Sequence, residues 1–344
     1  MSNADLANLS DKLMLTTVVM YIIALVAYAA DMGFGRRGAA TAAEAKTQVR
    51  EKAAAKVLVG AGGAADLDVA DTDDEPPVKT AAAATEVDDE DRPQVDWSRL
   101  AVLLNVVGLG AHLGVLVARG LSANRWPWGN MYEFLTAISL AAVTAFMVVM
   151  FRYKARFLGA PVMFAAVIAL GVANIWLYDS VGPVTPALNS YWIAIHVSAA
   201  IIATGAFTVA GAATILYFLK AGEEAGGRAR VRMLAGGALA RVPSAESLDR
   251  LAMRVTMFAF PIWTAAIIMG AIWADQAWGR YWGWDPKEIW SFVTWIIYAA
   301  YLHARSTSGW KGRKAAFLSL LAFAALLFNF FGVNYMFSGL HSYA

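Results

Sequence analysis

The sequence predicts an all-α integral membrane protein: a polytopic bundle of about eight transmembrane helices with an external tryptophan-rich segment. Three observations predict it. Of 344 residues, 59% are hydrophobic and only 16% charged, where soluble domains average about a quarter charged. The apolar residues gather into eight runs, most near or above the ~20 residues that cross a bilayer. Between two of these runs stands Trp278–Trp290, with four tryptophans and a tyrosine in thirteen residues, alongside Arg280, Asp285, Lys287 and Glu288. That mixture suits the membrane–water boundary, where an indole buries its ring and keeps its N–H wet.

The first run covers 13–33, after a Ser10-Asp11 cap. No basic segment precedes it and no clear small-residue cleavage site follows, so it is expected to stay as an N-terminal transmembrane helix over 1–33. Residues 34–99 differ in kind. Alanine, glycine and acids dominate, as in Asp71–Glu75 and Asp88–Asp91, and no aromatic stands between Phe34 and Trp97. Little apolar surface can be buried there, which predicts a largely disordered acidic linker with a short helix over 42–58. An acidic docking segment is the functional alternative. Seven further runs follow at about 100–118, 131–151, 158–178, 191–219, 255–273, 289–305 and 315–337, and 100–344 is expected to form one seven-helix membrane domain. Ser244 can cap a helix in which Leu248, Leu251, Ala252 and Val255 share a face, predicting an amphipathic segment on the inner surface that runs into the next span. Asp285-Pro286 reads as a helix start, with Asp as cap, Pro at the first position and Glu288 in the first turn.

Eight spans put both termini on one side. With the termini outside, the inner segments hold 23 Lys and Arg and the outer ones five, so the positive-inside rule places the termini and the tryptophan segment on the extracytoplasmic face. A net charge of +2 gives no sign of a nucleic-acid partner, and the absence of cysteine removes disulfides, thiolate metal sites and thiol nucleophiles. Any histidine chemistry must use His112, His196, His303 or His341, the four that the chain contains.

The bland reading of the tryptophan segment is an ordinary aromatic belt. At this density, a slab of indoles also fits a flat, apolar, anionic ligand such as a porphyrin. His196 lies near the outer end of its span and His341 just beyond the last one, both at the depth of the slab, which suggests bis-histidine ligation of a haem iron. His303 lies roughly 22 Å deeper along its helix, 15 residues after Glu288; it is either a membrane-edge polar residue or part of a second, inner site. His112, in mid-span among Gly108, Gly110 and Gly114, either bonds across helices or serves a functional site. Capping alone accounts for Asp285 and Glu288, with steering of propionates or substrate as the other role for Asp285, Lys287 and Glu288.

The motif W-G-x-x-W-x-W-D-P-K-E-x-W resembles the "WWD" signature of haem-handling membrane proteins, and residues 100–344 are similar to the CcsA/ResC (CcsB-type) branch of System II cytochrome c biogenesis. Tyr191–His196 and Gly332–Ser342 resemble the segments that carry the family's two external histidines. Tyr298–His303 resembles the one with its transmembrane histidine, and Trp128–Glu133 a further family segment of structural role. The resemblance implies haem b bound through Trp278, Trp282, Trp284, Asp285 and Trp290, with His196, His341 and His303 as iron ligands. It implies no side-chain nucleophile, and as partners a ResB-type membrane subunit, an apocytochrome c and a thiol-reducing thioredoxin-like protein. The implied reaction, holocytochrome c synthase (haem lyase) activity within a complex, joins haem vinyl groups to the thiols of a C-x-x-C-H segment. The alternatives are a haem carrier or exporter without ligation activity, and a proton or solute transporter using His112 and His303. The chain has no Walker-type loop to drive pumping with ATP.

Overall fold

The computed structural model describes residues 1–34, 96–182, 184, 188, 190–225, 238–307, 309–310 and 312–341. Every regular element among them is helical. Eight long helices follow in order: α1 Asn3–Phe34, α2 Trp97–Ala123, α3 Met131–Tyr153, α4 Gly159–Trp176, α5 Tyr191–Glu224, α6 Ala245–Trp278, α7 Pro286–Ser306 and α8 Arg313–Leu327. The last continues through a π turn, Phe328–Gly332, into Val333–Met336. Seven are long and apolar enough to cross a membrane; α7 has the length, 21 residues, but carries Lys287, Glu288, His303 and Arg305 near its ends. The chain is a multi-pass membrane protein. The linker expected over 34–99, with its short helix, falls outside the described residues between 35 and 95.

The helices outrun the apolar runs because caps and packing, not hydropathy, set their ends. Helix α1 starts ten residues ahead of its run. Ser2 and Asp5 close it reciprocally: the Asp5 N–H donates to Ser2 Oγ at 3.2 Å and the Ser2 N–H to Asp5 Oδ2 at 2.8 Å. Ser10, expected as the cap, is instead buried in mid-helix and donates its hydroxyl to the Val115 carbonyl of α2. The segment that begins at Ala245 also departs from expectation. Leu248, Leu251, Ala252 and Val255 are buried together, as their spacing predicts, but inside the protein core rather than on a membrane surface. The segment is the first part of α6 itself, unbroken from the span, and Asp249 on it pairs with Arg305 at the end of α7 at 2.6 Å.

The two halves of the chain repeat one plan. Helices α1 and α2 pack along most of their length, as do α5 and α6; α3 packs on α4 and α7 on α8; α1 returns to α4 and α5 to α8. Helix α3 against α5 joins the halves. The turns before α3 and α7 are also built alike. Trp126-Pro-Trp128 leads to Asn130 as N-cap and Glu133; Trp282-Gly-Trp284 leads to Asp285 as N-cap and Glu288. In each turn the glutamate reaches back to a glycine N–H, Gly129 at 2.7 Å or Gly283 at 2.8 Å, and pairs with an arginine just upstream, Arg125 at 2.7 Å or Arg280 at 3.1 Å.

His112 is fully buried on α2. Tyr21 of α1 donates its hydroxyl to Nδ1 at 3.2 Å, and Nε2–H donates to the Thr136 carbonyl of α3 at 3.0 Å. Both ring nitrogens are used, so the side chain fastens three helices together. His112→Ala leaves the Tyr21 hydroxyl without that partner in a water-free interior. The expected outcome is a loss of roughly 1–3 kcal/mol, read as a lower thermal midpoint in detergent with no change at the tryptophan end. An unaltered midpoint would remove the fastening role.

Candidate functional site

The site is a cleft at the tryptophan end of the bundle. Its free space, open mouth included, is about 1200 Å³. Trp128, Met131 and Phe134 reach it from the first half; His196, Trp273, Trp282, Lys287 and His341 reach it from the second.

His196 lies one and a half turns into α5, whose start is fixed by Ser190 as N-cap. Its Nδ1 sits 2.8 Å from the Ala266 carbonyl of α6, so Nδ1 carries the proton and Nε2 is the basic nitrogen. The ring stacks on Trp273 at 6.0 Å and 10°. Gly270 makes this seat: a Cβ there would stand 2.7 Å from His196 Cε1. His341 arrives from the tail beyond α8. Its ring lies edge-on to Trp278 at 4.9 Å and to Trp273 at 5.8 Å. One indole, Trp273, thus touches both imidazoles.

Asp285 holds the tail in place. It is the N-cap of α7, in a complete capping box with Glu288. Its Oδ1 lies 2.9 Å from His341 Nδ1 and its Oδ2 accepts the Leu340 N–H at 2.7 Å. Gly339 permits the approach, since a Cβ there would lie 2.5 Å from Oδ2. Burial alone would raise this carboxyl; the hydrogen bonds from His341, Leu340 and Lys287 outweigh it and hold the group down at about 2. The contact is therefore fully present above about pH 4 and is lost only as pH falls through about 2.

Of the residues singled out from the sequence, His196, His341, Trp278, Trp282 and Asp285 come together here. Trp284 is 68% exposed, with a backbone φ of 58° that is unusual for a bulky residue. Trp290 packs on Phe328 of the π turn at 4.3 Å, away from the cleft lining. His303 is exposed at the far end of α7, roughly 22 Å from Glu288 at 1.5 Å per residue. Trp273, Gly270 and Asn334 were not foreseen. Trp273 looks in sequence like any interior aromatic, and only the crossing of α5 and α6 puts it between the histidines.

Fold and site define a class: a polytopic helical membrane protein with an aromatic, two-histidine cleft at one end. The family described as "Cytochrome C assembly protein" matches residues 128–341, and the chain belongs to it. The chain is 32% identical over 301 residues to the "Cytochrome c biogenesis protein CcsA" of Gloeobacter violaceus, covering 71% of this chain and 88% of that protein. It is 33% identical over 253 residues to the protein of that name from Trieres chinensis, covering 67% and 81%. Among solved structures, "Cytochrome c Heme Lyase CcmF" superposes with a TM-score of 0.57 at 16% identity, over 96% of this chain. The chain spans just under half, 47%, of that structure, and the likeness is one of fold.

Gly270→Ala tests the seat of His196. Alanine favours the helix, so α6 should hold its stability while the imidazole is pushed from Trp273. The expected result is an unchanged thermal midpoint with faster carbethoxylation of His196. Unchanged reactivity would show that the ring does not depend on Gly270.

Proposed function

We propose that this cytochrome c maturation protein binds haem b in the cleft. It would present the haem at the extracytoplasmic face for attachment to C-x-x-C-H apocytochromes c, with a ResB-type membrane subunit as partner. One observation carries the reading. Two histidines from separate segments line one cleft, and each has Nδ1 bound to an oxygen acceptor, the arrangement that fixes an imidazole to ligate metal through Nε2. The rest of the lining fits the same group. It is mostly aromatic and aliphatic, and it holds a buried indole N–H, that of Trp128, with no partner among the described residues.

Bound haem would supply an iron for the two imidazoles and two vinyl groups, across each of which a thiol adds by forming a carbon–sulfur bond and giving its hydrogen to the other vinyl carbon. The chain has no cysteine, so both thiols would come from the apocytochrome, kept reduced by a thioredoxin-like protein. The contribution of this chain is orientation. His196 and His341 hold the centre, Trp273 fixes their separation, Trp278 backs His341 and Trp282 walls the cleft, so that a bound segment meets its target at high effective concentration. Asp285 keeps His341 in the ligating tautomer. His303 would serve a separate inner contact, completed by the ResB-type subunit. Transport through His112 draws no support, since both its nitrogens are bonded within the bundle.

The test is the visible spectrum of protein purified with its partner. A low-spin haem band is expected for the wild type, weakened in His196→Ala and His341→Ala and restored by added imidazole. A colourless wild type would end the haem reading. Asp285→Asn keeps the helix cap but loses the charge beside His341. It should cut haem affinity about tenfold, and imidazole should rescue it as it rescues His341→Ala. Full affinity in Asp285→Asn would show that the carboxylate serves the helix alone.

A further inference from the structure

The two histidines and the indole wall leave one half-buried cation of the cleft without a role. Lys287 stands in the first turn of α7. Its ammonium donates to the Asn329 carbonyl at 2.7 Å and to Asn334 Oδ1 at 3.2 Å, and lies 5.7 Å from the centre of the Phe330 ring. All three partners are neutral. Asp285 is taken up by His341, the Leu340 N–H and the helix cap, and Glu288 by Arg280 and two loop N–H groups. Among the described residues no carboxylate forms an ion pair with Lys287, while every arginine buried at this end has one: Arg119 and Arg125 share Glu133. A cation in an apolar lining without an ion-paired counter-ion is costly; among the described residues none forms an ion pair with this one, and the nearby charge of Asp285 offsets only part of the cost of burial.

A second surplus donor lies in the same lining. Trp128 Nε1 is buried with no hydrogen-bond partner among the described residues. Both line the same cleft, and Asn334, which accepts from Lys287, donates through Nδ2 at 3.1 Å to Met131 Sδ, three residues along from Trp128. An ammonium and an indole N–H to which no carboxylate among the described residues is hydrogen-bonded define a site for a carboxylate. We infer that Lys287 and the Trp128 N–H form a carboxylate-recognising subsite of the cleft, and that it takes a propionate of the tetrapyrrole. This rests on the haem reading above. It assigns the first half of the chain a direct part in binding, through the turn that mirrors the tryptophan-rich one.

The simpler role for Lys287 is to occupy the carbonyl that the π turn releases at Asn329, and the experiment separates the two. Ferric haem and its dimethyl ester, in which both propionates are uncharged, are titrated by visible absorbance into the purified full-length protein with its partner. The variants are the wild type, Lys287→Met, Lys287→Arg, Trp128→Phe and His341→Ala. The wild type is expected to favour the free acid by about tenfold or more, the usual size of one hydrogen bond to a charged group. Lys287→Met should bind both alike, at the level of the ester, with Trp128→Phe between. Lys287→Arg should keep most of the preference, and His341→Ala should weaken both ligands while leaving their ratio intact. Because the readout is a ratio within one protein, a general loss of stability in Lys287→Met does not mimic it. An undiminished preference for the free acid in Lys287→Met overturns the subsite and leaves the haem site standing. Failure of the wild type to bind either tetrapyrrole overturns both.

Discussion

A polar group inside a membrane bundle has no water to turn to, so each must find its partner in the protein. That constraint shapes this chain. Glu133, fully buried, is satisfied by Arg119, Arg125 and the Gly129 N–H. Glu288 is satisfied by Arg280 and the N–H groups of Gly283 and Asp285. Each glutamate stands in the first turn of a helix and clamps the loop that carries a Trp-x-Trp pair, and Glu288 also completes the capping box of α7. The loops at this end are therefore held by charge-assisted hydrogen bonds in low dielectric, where such bonds are strongest. A rigid rim is what a site needs when its chemistry is supplied by the groups it positions.

The cleft lies where the two four-helix halves meet at that rim. The first half contributes a wall, Trp128, Met131 and Phe134, and no histidine. The second half contributes the two imidazoles and the indole that spaces them. Similar turn chemistry thus serves two purposes, one structural in the manner of a buttress and one that also orients a side chain through Asp285.

Much of this was legible in the residues. Composition and run length fixed the class, and Asp285-Pro286 with Glu288 announced the start of α7, because capping is local. His196 and His341 could be matched by depth, since 1.5 Å per residue turns sequence position into height. What could not be read was lateral. Nothing local tells that Trp273 faces His196, that Gly270 clears space for its ring, or that Asp285 reaches a residue 56 positions away. Polarity also misled twice: Ser10 reads as a cap but bonds across to α2, and the segment from Ala245 reads as a surface helix but packs into the core. In both places a neighbouring helix supplied what the sequence alone would have sought from solvent. The repeated spacing at 126–133 and 282–288 was open to view, yet one extra residue between tryptophan and cap hides it from a simple register match.

The π turn at Phe328–Gly332 adds one residue to a turn of α8. At about 100° of rotation per residue, that single insertion swings the rest of the chain to a different bearing around the helix axis. The tail then comes off over Asp285 rather than toward a neighbouring face. The azimuth of His341 is in this sense a matter of phase: a count of residues, made more than a turn before the histidine, decides which way it looks.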